Sequence, residues 1–235
     1  MTEFDLIEVP LGQGTALGLV SRAMSKSSEG QKPIVVDFLS PKLLHRTKAG
    51  ADGEAVVKAV GVKRTARAGV NVFDFTAGLG TDAFLLARAG FSVTAFERDA
   101  RLFALLQDGL RRWKEVHGDR LDIRFVQGDA RLVAQGKPHA VLLDPMFEGD
   151  AIASKSPPKK EMATLRRMLQ TSSEAELGEL MDTAVRLAQA RVIVKRPNGA
   201  ASLRPSADMQ DRLFSVDPVH SIDGKTARFD IYSCR

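Results

Sequence analysis

The chain has 235 residues, 44% hydrophobic and 27% charged, an ordinary composition for a water-soluble protein with one good core and a small appendage. No apolar run approaches the roughly eighteen residues that span a bilayer, and the single cysteine, Cys234, excludes an intrachain disulfide and a Cys-rich metal site. Lysine and arginine (34) exceed aspartate and glutamate (29) to give a net charge of +5, an excess that serves solubility as readily as it serves a polyanion.

Residues 1–66 differ from the rest. The opening MTEFDLIEVP has neither a basic region nor an apolar signal core, so the expected location is the cytoplasm. From Leu11 to Gly30 no helical period stands out. Pro33 to Leu39 reads as a strand, and Glu54 to Val60 as a short helix stopped by Gly61. Together they predict a small N-terminal α+β cap. Basic residues cluster at Lys42, His45, Arg46 and Lys48, at Lys63, Arg64 and Arg67, and again from Lys155 to Arg167. On one face they would make an electrostatic footprint for a polyanion; on separate loops they are solvated surface.

The organising stretch is VNVFDFTAGLGTDAFLLARAGFSVTAFERD, Val70 to Asp99. An apolar run ends at Phe75, the small-residue turn Thr76-Ala77-Gly78-Leu79-Gly80 follows, and a helical pattern runs to Ala89. Gly90 stops it, and a second apolar run from Phe91 to Phe96 ends on Glu97. This is strand, glycine turn, helix, strand, the first half of an open parallel α/β sheet. Ligands of such sheets sit at the carboxyl ends of the strands, where Asp74, the turn and Glu97 would gather. Gly78 to Ala83 also fits the loose dinucleotide pattern GxGxxA. However, Asp74 before the turn and Asp82 in the first helical turn would oppose a pyrophosphate at the helix N-terminus. S-adenosylmethionine carries an ammonium and a sulfonium and no phosphate, which an acidic turn suits. Glu97 can accept hydrogen bonds from both of its ribose hydroxyls.

Further on, Asp99 can cap a helix reaching about Glu115, with Leu102, Leu105, Leu106, Leu110 and Trp113 on the buried face. Leu121 to Val126 is a third strand. Asp129, just beyond it, can accept from an adenine amino group or cap the next helical turn. His139 to Leu143 is a fourth strand, a helix spans about Ser173 to Ala190, and Arg191 to Lys195 is a fifth strand ended by Pro197. Leu213 to Val219 and Ala227 to Tyr232 read as a closing antiparallel pair around Asp223-Gly224.

The fourth strand runs into Asp144-Pro145-Met146-Phe147. This resembles the (Asp/Asn)-Pro-Pro-(Tyr/Phe) signature of methyltransferases that act on exocyclic amines of bases, with Met146 at the second proline. Such nitrogens are poor nucleophiles because their lone pair is delocalised into the ring. The chemistry therefore needs acceptors for the amine hydrogens, supplied by Asp144 and the Pro145 carbonyl, and an aromatic face for the base, supplied by Phe147. The four histidines are scattered, and none stands as a general base.

Several ordered blocks make the chain similar to the ribosomal RNA small subunit methyltransferase J family, which methylates the exocyclic N2 of a guanine in 16S ribosomal RNA. They are His45-Arg46, Gly53 to Val56, Lys58 to Gly61, Thr76 to Gly80, Asp82 to Phe84, Glu97-Arg98, Leu143 to Phe147, Lys159 to Met162, Val194 to Pro197 and Arg228 to Tyr232. The resemblance implies a Rossmann-like class I S-adenosylmethionine-dependent methyltransferase. Its sheet would be seven-stranded and mostly parallel with an antiparallel closing strand, with residues 1–66 as an RNA-contacting cap and 67–235 as the catalytic domain. Cofactor contacts would fall on Thr81, Asp82, Glu97, Arg98, Asp129, Ala130 and Asp144, besides Asp74, Ala77, Gly78 and Gly80 at the turn. His45, Arg46, Lys48, Lys159, Lys160, Lys195 and Arg196 would meet RNA. The expected partner is 16S ribosomal RNA or the small subunit, with no membrane and no resident metal. Three positions depart from the family pattern: Thr81 replaces an arginine, Asp129-Ala130 a serine pair, and Glu148 the proline after the phenylalanine. The alternatives are an adenine-N6 methyltransferase, an inactive RNA-binding factor of the same fold and, more distantly, a dinucleotide oxidoreductase.

Overall fold

A computed structural model describes residues 4–21, 32–48, 50–145, 172–206, 215–224 and 227–233. The central sheet contains β3 (Asn71–Asp74), β4 (Ser92–Glu97), β5 (Ile123–Gln127), β6 (Ala140–Leu143), β7 (Arg191–Pro197), β8 (His220–Asp223) and β9 (Ala227–Ser233), in the order β5-β4-β3-β6-β7-β9-β8. The first five pair in parallel, and β9 runs antiparallel to both β7 and β8. All four residues of β6 are buried, as expected for a strand covered on both faces. From β3 the chain builds outward through β4 to β5 and then crosses back to lay β6 on the other side of β3, which opens the crevice where such sheets bind ligands.

On one face lie α2 (Ala55–Val60), α3 (Thr81–Arg88) and α4 (Ala100–His117), and on the other α6 (Glu174–Leu187); α5 (Ala130–Val133) is a single turn after β5. Local signals set these boundaries. Asp99 caps α4, accepting from the N–H groups of Arg101 (2.8 Å) and Leu102 (3.2 Å). Ser173 and Glu176 form a reciprocal capping box on α6.

The N-terminal region departs from expectation. Phe4–Leu11 (β1) and Gly14–Ser21 (β2) form an antiparallel hairpin turned at Gly12. The strand expected over 33–39 shrinks to one bridge between Ile34 and Leu19. The reason is local: the Asp37 carboxylate accepts the Leu39 N–H (3.1 Å) and curls the chain into α1 (Pro41–Thr47). The apolar residues of that run serve the core instead. Phe38 stacks on Phe84, with centroids 4.8 Å apart. Gly109 in α4 admits this segment, since a Cβ there would meet the Val36 carbonyl oxygen at 2.9 Å. Arg112 donates to that same carbonyl, to Asp37 and to Asp108. Phe4, Leu19 and Phe38 of this region share one apolar cluster with Phe84, Leu105 and Trp113 of the main layer.

The closing pair also differs. Among the described residues its first strand is His220–Asp223, tight against the turn; Leu213 and Phe214 lie outside the described residues, and Ser215 to Val219 form no strand. Pro218 has no N–H for a ladder, and Ser215 meets β9 through its N–H to the Ser233 carbonyl (3.1 Å).

Candidate active site

β3 delivers Asp74 to the carboxyl edge, where its carboxylate accepts the Thr76 N–H (3.0 Å). Asp74 is 2% exposed; burial, with Asp82 and Asp144 nearby, pushes its carboxyl up to about 8. The turn beyond it is held by main-chain bonds, Ala77 N–H to the Phe96 carbonyl (2.9 Å) and Gly80 N–H to the Ala77 carbonyl (2.7 Å). Gly80 has φ +71°, and a Cβ there would lie 2.6 Å from a Leu106 methyl and 3.1 Å from the Phe38 ring. Only glycine allows the turn to settle this deeply against α4 and the cap.

At the end of β4, Glu97 accepts the N–H groups of Gly78 (2.9 Å) and Asp99 (2.8 Å), tying turn to strand. Burial raises its carboxyl above the usual range while those two donors pull it back. A carboxylate has about four acceptor directions, so two hydroxyls can still be served. After β5, Asp129 caps α5 through the Arg131 N–H (2.9 Å), and the Arg131 guanidinium grips it at 2.6 and 3.0 Å, holding its carboxyl low. Arg131 continues to Glu179 (2.8 Å) and Glu176 (3.3 Å), and Arg98 also reaches Glu176 (3.5 Å). Of the two roles open to Asp129, the helix cap is the one present, and any adenine contact would be shared with Arg131.

β6 ends in Asp144-Pro145. The Asp144 N–H donates to the Thr76 hydroxyl at 2.6 Å, joining this tip to the glycine turn. The Lys195 ammonium lies 2.7 Å from an Asp144 oxygen and 2.7 Å from an Asp82 oxygen. Burial opposes its charge, but the two carboxylates outweigh it and raise its pKa above the usual lysine range.

These elements line a cleft at the carboxyl edge of the sheet, open to solvent. Of the residues expected at the site, Gly78, Glu97, Arg98, Asp129, Ala130, Asp144 and Pro145 line this cleft, together with Thr76, Arg131 and Glu176. Asp74, Ala77, Gly80, Thr81 and Asp82 lie behind this lining, in the turn and the start of α3. Phe147, Lys159 and Lys160 fall outside the described residues.

Of the residues expected at RNA phosphates, Lys195 bonds to two carboxylates, and Arg196 is 8% exposed, with its Nε donating to the Ala201 carbonyl (3.0 Å). His45 and Lys48 are exposed, and Arg46 makes a bidentate pair with Glu54 (2.9 and 2.6 Å). Lys195 could have been placed from strand order. Leu143 of β6 pairs with Val194 of β7, so the residues that follow, Asp144 and Lys195, emerge side by side.

The turn region holds three carboxylates, Asp74, Asp82 and Asp144, around one ammonium, and Glu97 waits at the next strand end. That donor set repels a pyrophosphate and fits a cationic, diol-bearing nucleoside. Fold and site together define a Rossmann-like class I S-adenosylmethionine-dependent methyltransferase. A family model of SAM-dependent methyltransferases, SAM_MT, matches residues 12–234. The chain is 39% identical over 217 residues to the ribosomal RNA small subunit methyltransferase J of Shewanella amazonensis, covering 85% of this chain and 77% of that protein. It is 36% identical to that of Chromohalobacter salexigens, covering 94% and 87%. The chain belongs to the ribosomal RNA small subunit methyltransferase J family. Its fold matches the crystal structure of a SAM-dependent methyltransferase from Neisseria gonorrhoeae, with TM-score 0.65, 30% identity, and 93% of this chain and 79% of that one covered. At 16% identity and TM-score 0.51, magnesium protoporphyrin IX methyltransferase of Synechocystis with bound SAM shares the fold over 85% of this chain and 86% of that one.

Proposed function

We propose that the protein methylates the exocyclic N2 of a guanine in 16S ribosomal RNA, in the cytoplasm, on the small subunit or its RNA. The observation that carries this reading is the Asp144-Pro145 tip, fastened through Thr76 to the glycine turn and opening into the same cleft as Glu97. When bound, S-adenosylmethionine would supply the electrophilic methyl, which the amine would take while the sulfur kept the bonding pair of the broken S–C bond. Glu97 accepts from the ribose hydroxyls. Gly78 and Ala130 border the nucleoside, with Arg98 and the Asp129–Arg131 pair at its edge. Asp82 contributes negative potential toward the cationic end from behind the turn, and Asp74 joins it once its buried carboxyl ionises near pH 8. Asp144 and the Pro145 carbonyl accept from the amine hydrogens as charge grows on nitrogen, and the proton released leaves along that path to solvent. Phe147 stacks on the displaced base.

His45, Arg46 and Lys48 on the cap, with Lys159 and Lys160, contact RNA phosphates. Support for the cap's part is that Leu43 of α1 shares one apolar cluster with Ala83 and Phe84 of α3, the helix that starts at the glycine turn. The test is nucleoside analysis of 16S RNA from cells lacking the protein, with add-back of the purified chain and labelled cofactor. The expected product is N2-methylguanosine, lost in the deletion and restored by add-back. N6-methyladenosine would move the activity to the other base, and absence of transfer would leave an RNA-binding factor.

A further inference from the structure

Lys195 has no part in the reading above, yet it occupies the centre of the charged cluster. It stands at the carboxyl end of β7, one residue past the Val194–Leu143 pairing, so the sheet itself delivers it beside Asp144. Its ammonium takes one oxygen of Asp144 and one of Asp82, both at 2.7 Å, and sits 5.9 Å from the centroid of the Phe229 ring. Asp82 belongs to the first turn of α3 and Asp144 to the tip of β6, so one side chain spans the turn that faces the cofactor and the tip that faces the acceptor.

We infer that Lys195 is a positioning residue for methyl transfer: its ammonium fixes the plane of the Asp144 carboxylate and keeps it anionic beside the Asp82 carboxylate. This rests on Asp144 being the acceptor of the amine hydrogens. Three features support it. First, the Thr76 hydroxyl fixes the Asp144 main chain (2.6 Å) but leaves the side-chain torsions to be set by something else, and the Lys195 ammonium bonds to that carboxylate at 2.7 Å. Second, Asp74 from β3, Asp82 from α3 and Lys195 from β7 come together at Asp144. Without the ammonium, the neighbouring Asp82 carboxylate would favour a protonated Asp144, which loses acceptor capacity where the amine needs it. Third, a carboxylate accepts more than one hydrogen bond, so the bridge and the acceptor amine can be bound at once. A lysine is suited to this task because its compact ammonium has three donors to divide between two carboxylates.

The experiment compares wild type, Lys195→Gln, Lys195→Arg and Asp144→Asn as full-length proteins, measuring methyl transfer to 16S RNA against pH and S-adenosylhomocysteine affinity by calorimetry. Lys195→Gln is expected to lower kcat roughly tenfold or more at neutral pH and to move the acidic limb of the rate profile upward by about one to three units. Homocysteine-cofactor affinity should change much less. Lys195→Arg keeps the charge, so its acidic limb should stay at the wild-type position even if misplacement lowers its rate. Should Lys195→Gln fail to fold, the Lys195→Arg profile decides alone, and a limb displaced from wild type overturns the proposal. A Lys195→Gln enzyme with wild-type rate and profile overturns it while leaving Asp144 in place, provided Asp144→Asn is impaired. A rate loss with an unmoved limb shows only structural support and overturns it too. If wild type transfers no methyl, or Asp144→Asn is as active as wild type, the underlying reading fails and takes this one with it.

Discussion

The wall of the cleft around the glycine turn is held mainly by main-chain groups: Ala77 and Gly78 N–H donate to the Phe96 carbonyl and the Glu97 carboxylate, and Gly80 closes the turn on Ala77. The wall at the ends of β6 and β7 is held by side chains, with Thr76 on the Asp144 N–H and Lys195 between Asp82 and Asp144. Main-chain scaffolding depends on where glycine is allowed and leaves a readable motif. Side-chain scaffolding depends on which strands end together, and is invisible until their order is known. The first wall suits a ligand that is held in one pose. The second suits a reaction in which charge appears and must be met by a pre-set acceptor.

Substitutions can separate the two walls. The largest effect is expected from Asp144→Ala. Loss of one charged hydrogen-bond partner, about 1.5–3 kcal/mol, should slow methylation roughly 10- to 150-fold, with S-adenosylhomocysteine affinity little changed. Near wild-type turnover would remove Asp144 from the reaction. Glu97→Ala should do the reverse, weakening cofactor binding by roughly 5- to 150-fold, about 1–3 kcal/mol, while kcat at saturating cofactor stays close to wild type. Titration calorimetry beside steady-state kinetics distinguishes these two outcomes.

A smaller, pH-linked effect belongs to Asp74, whose carboxyl is pushed from 3.8 to about 8 by burial. A cationic cofactor favours the ionised form, so its affinity should rise with pH toward and through about 8, by no more than about tenfold per unit. Asp74→Asn should flatten that dependence. The sign for stability is opposite. Between about 4 and 8 the folded state holds a proton that the unfolded chain has released, so this group's contribution to apo stability should fall as pH rises through that window. Melting curves of wild type and Asp74→Asn across the window check it. Smallest in its effect on chemistry is Gly80→Ala, which forces a side chain into positive φ against Leu106 and Phe38. It should cost about 1–3 kcal/mol and lower the melting temperature, without altering the acidic limb of the rate profile.

Much of the catalytic layer was legible in sequence because its strands are short apolar runs ended by acids and glycine. β3, β4, β6 and β7 fall within two residues of the expected bounds, and Asp99 caps α4 as read. The hairpin was not legible, since β1 is largely exposed on both sides and gives no clear two-residue period. β2 is diluted by Gly14 and Gly18, and Gly18 is needed where a Cβ would lie 3.0 Å from Val9 and Pro33. At the site, Glu97, the turn and Asp144 could be read from their places at strand ends. Lys195 and Arg196 read as surface charge because a lysine or arginine after a strand has no signal telling solvent from interior. Arg131 and Glu176 were missed because their partners come from α5 and α6, elements about 45 positions apart.

The most direct measurement is a crystal structure with S-adenosylmethionine, or an unreactive cationic analogue, in the cleft. The expected result is a ribose on Glu97 and a methyl carbon facing the Asp144 carboxylate and the Pro145 carbonyl, with Lys195 still bridging Asp82 and Asp144. A sulfonium methyl directed away from that tip, or a nucleoside bound elsewhere, would contradict it.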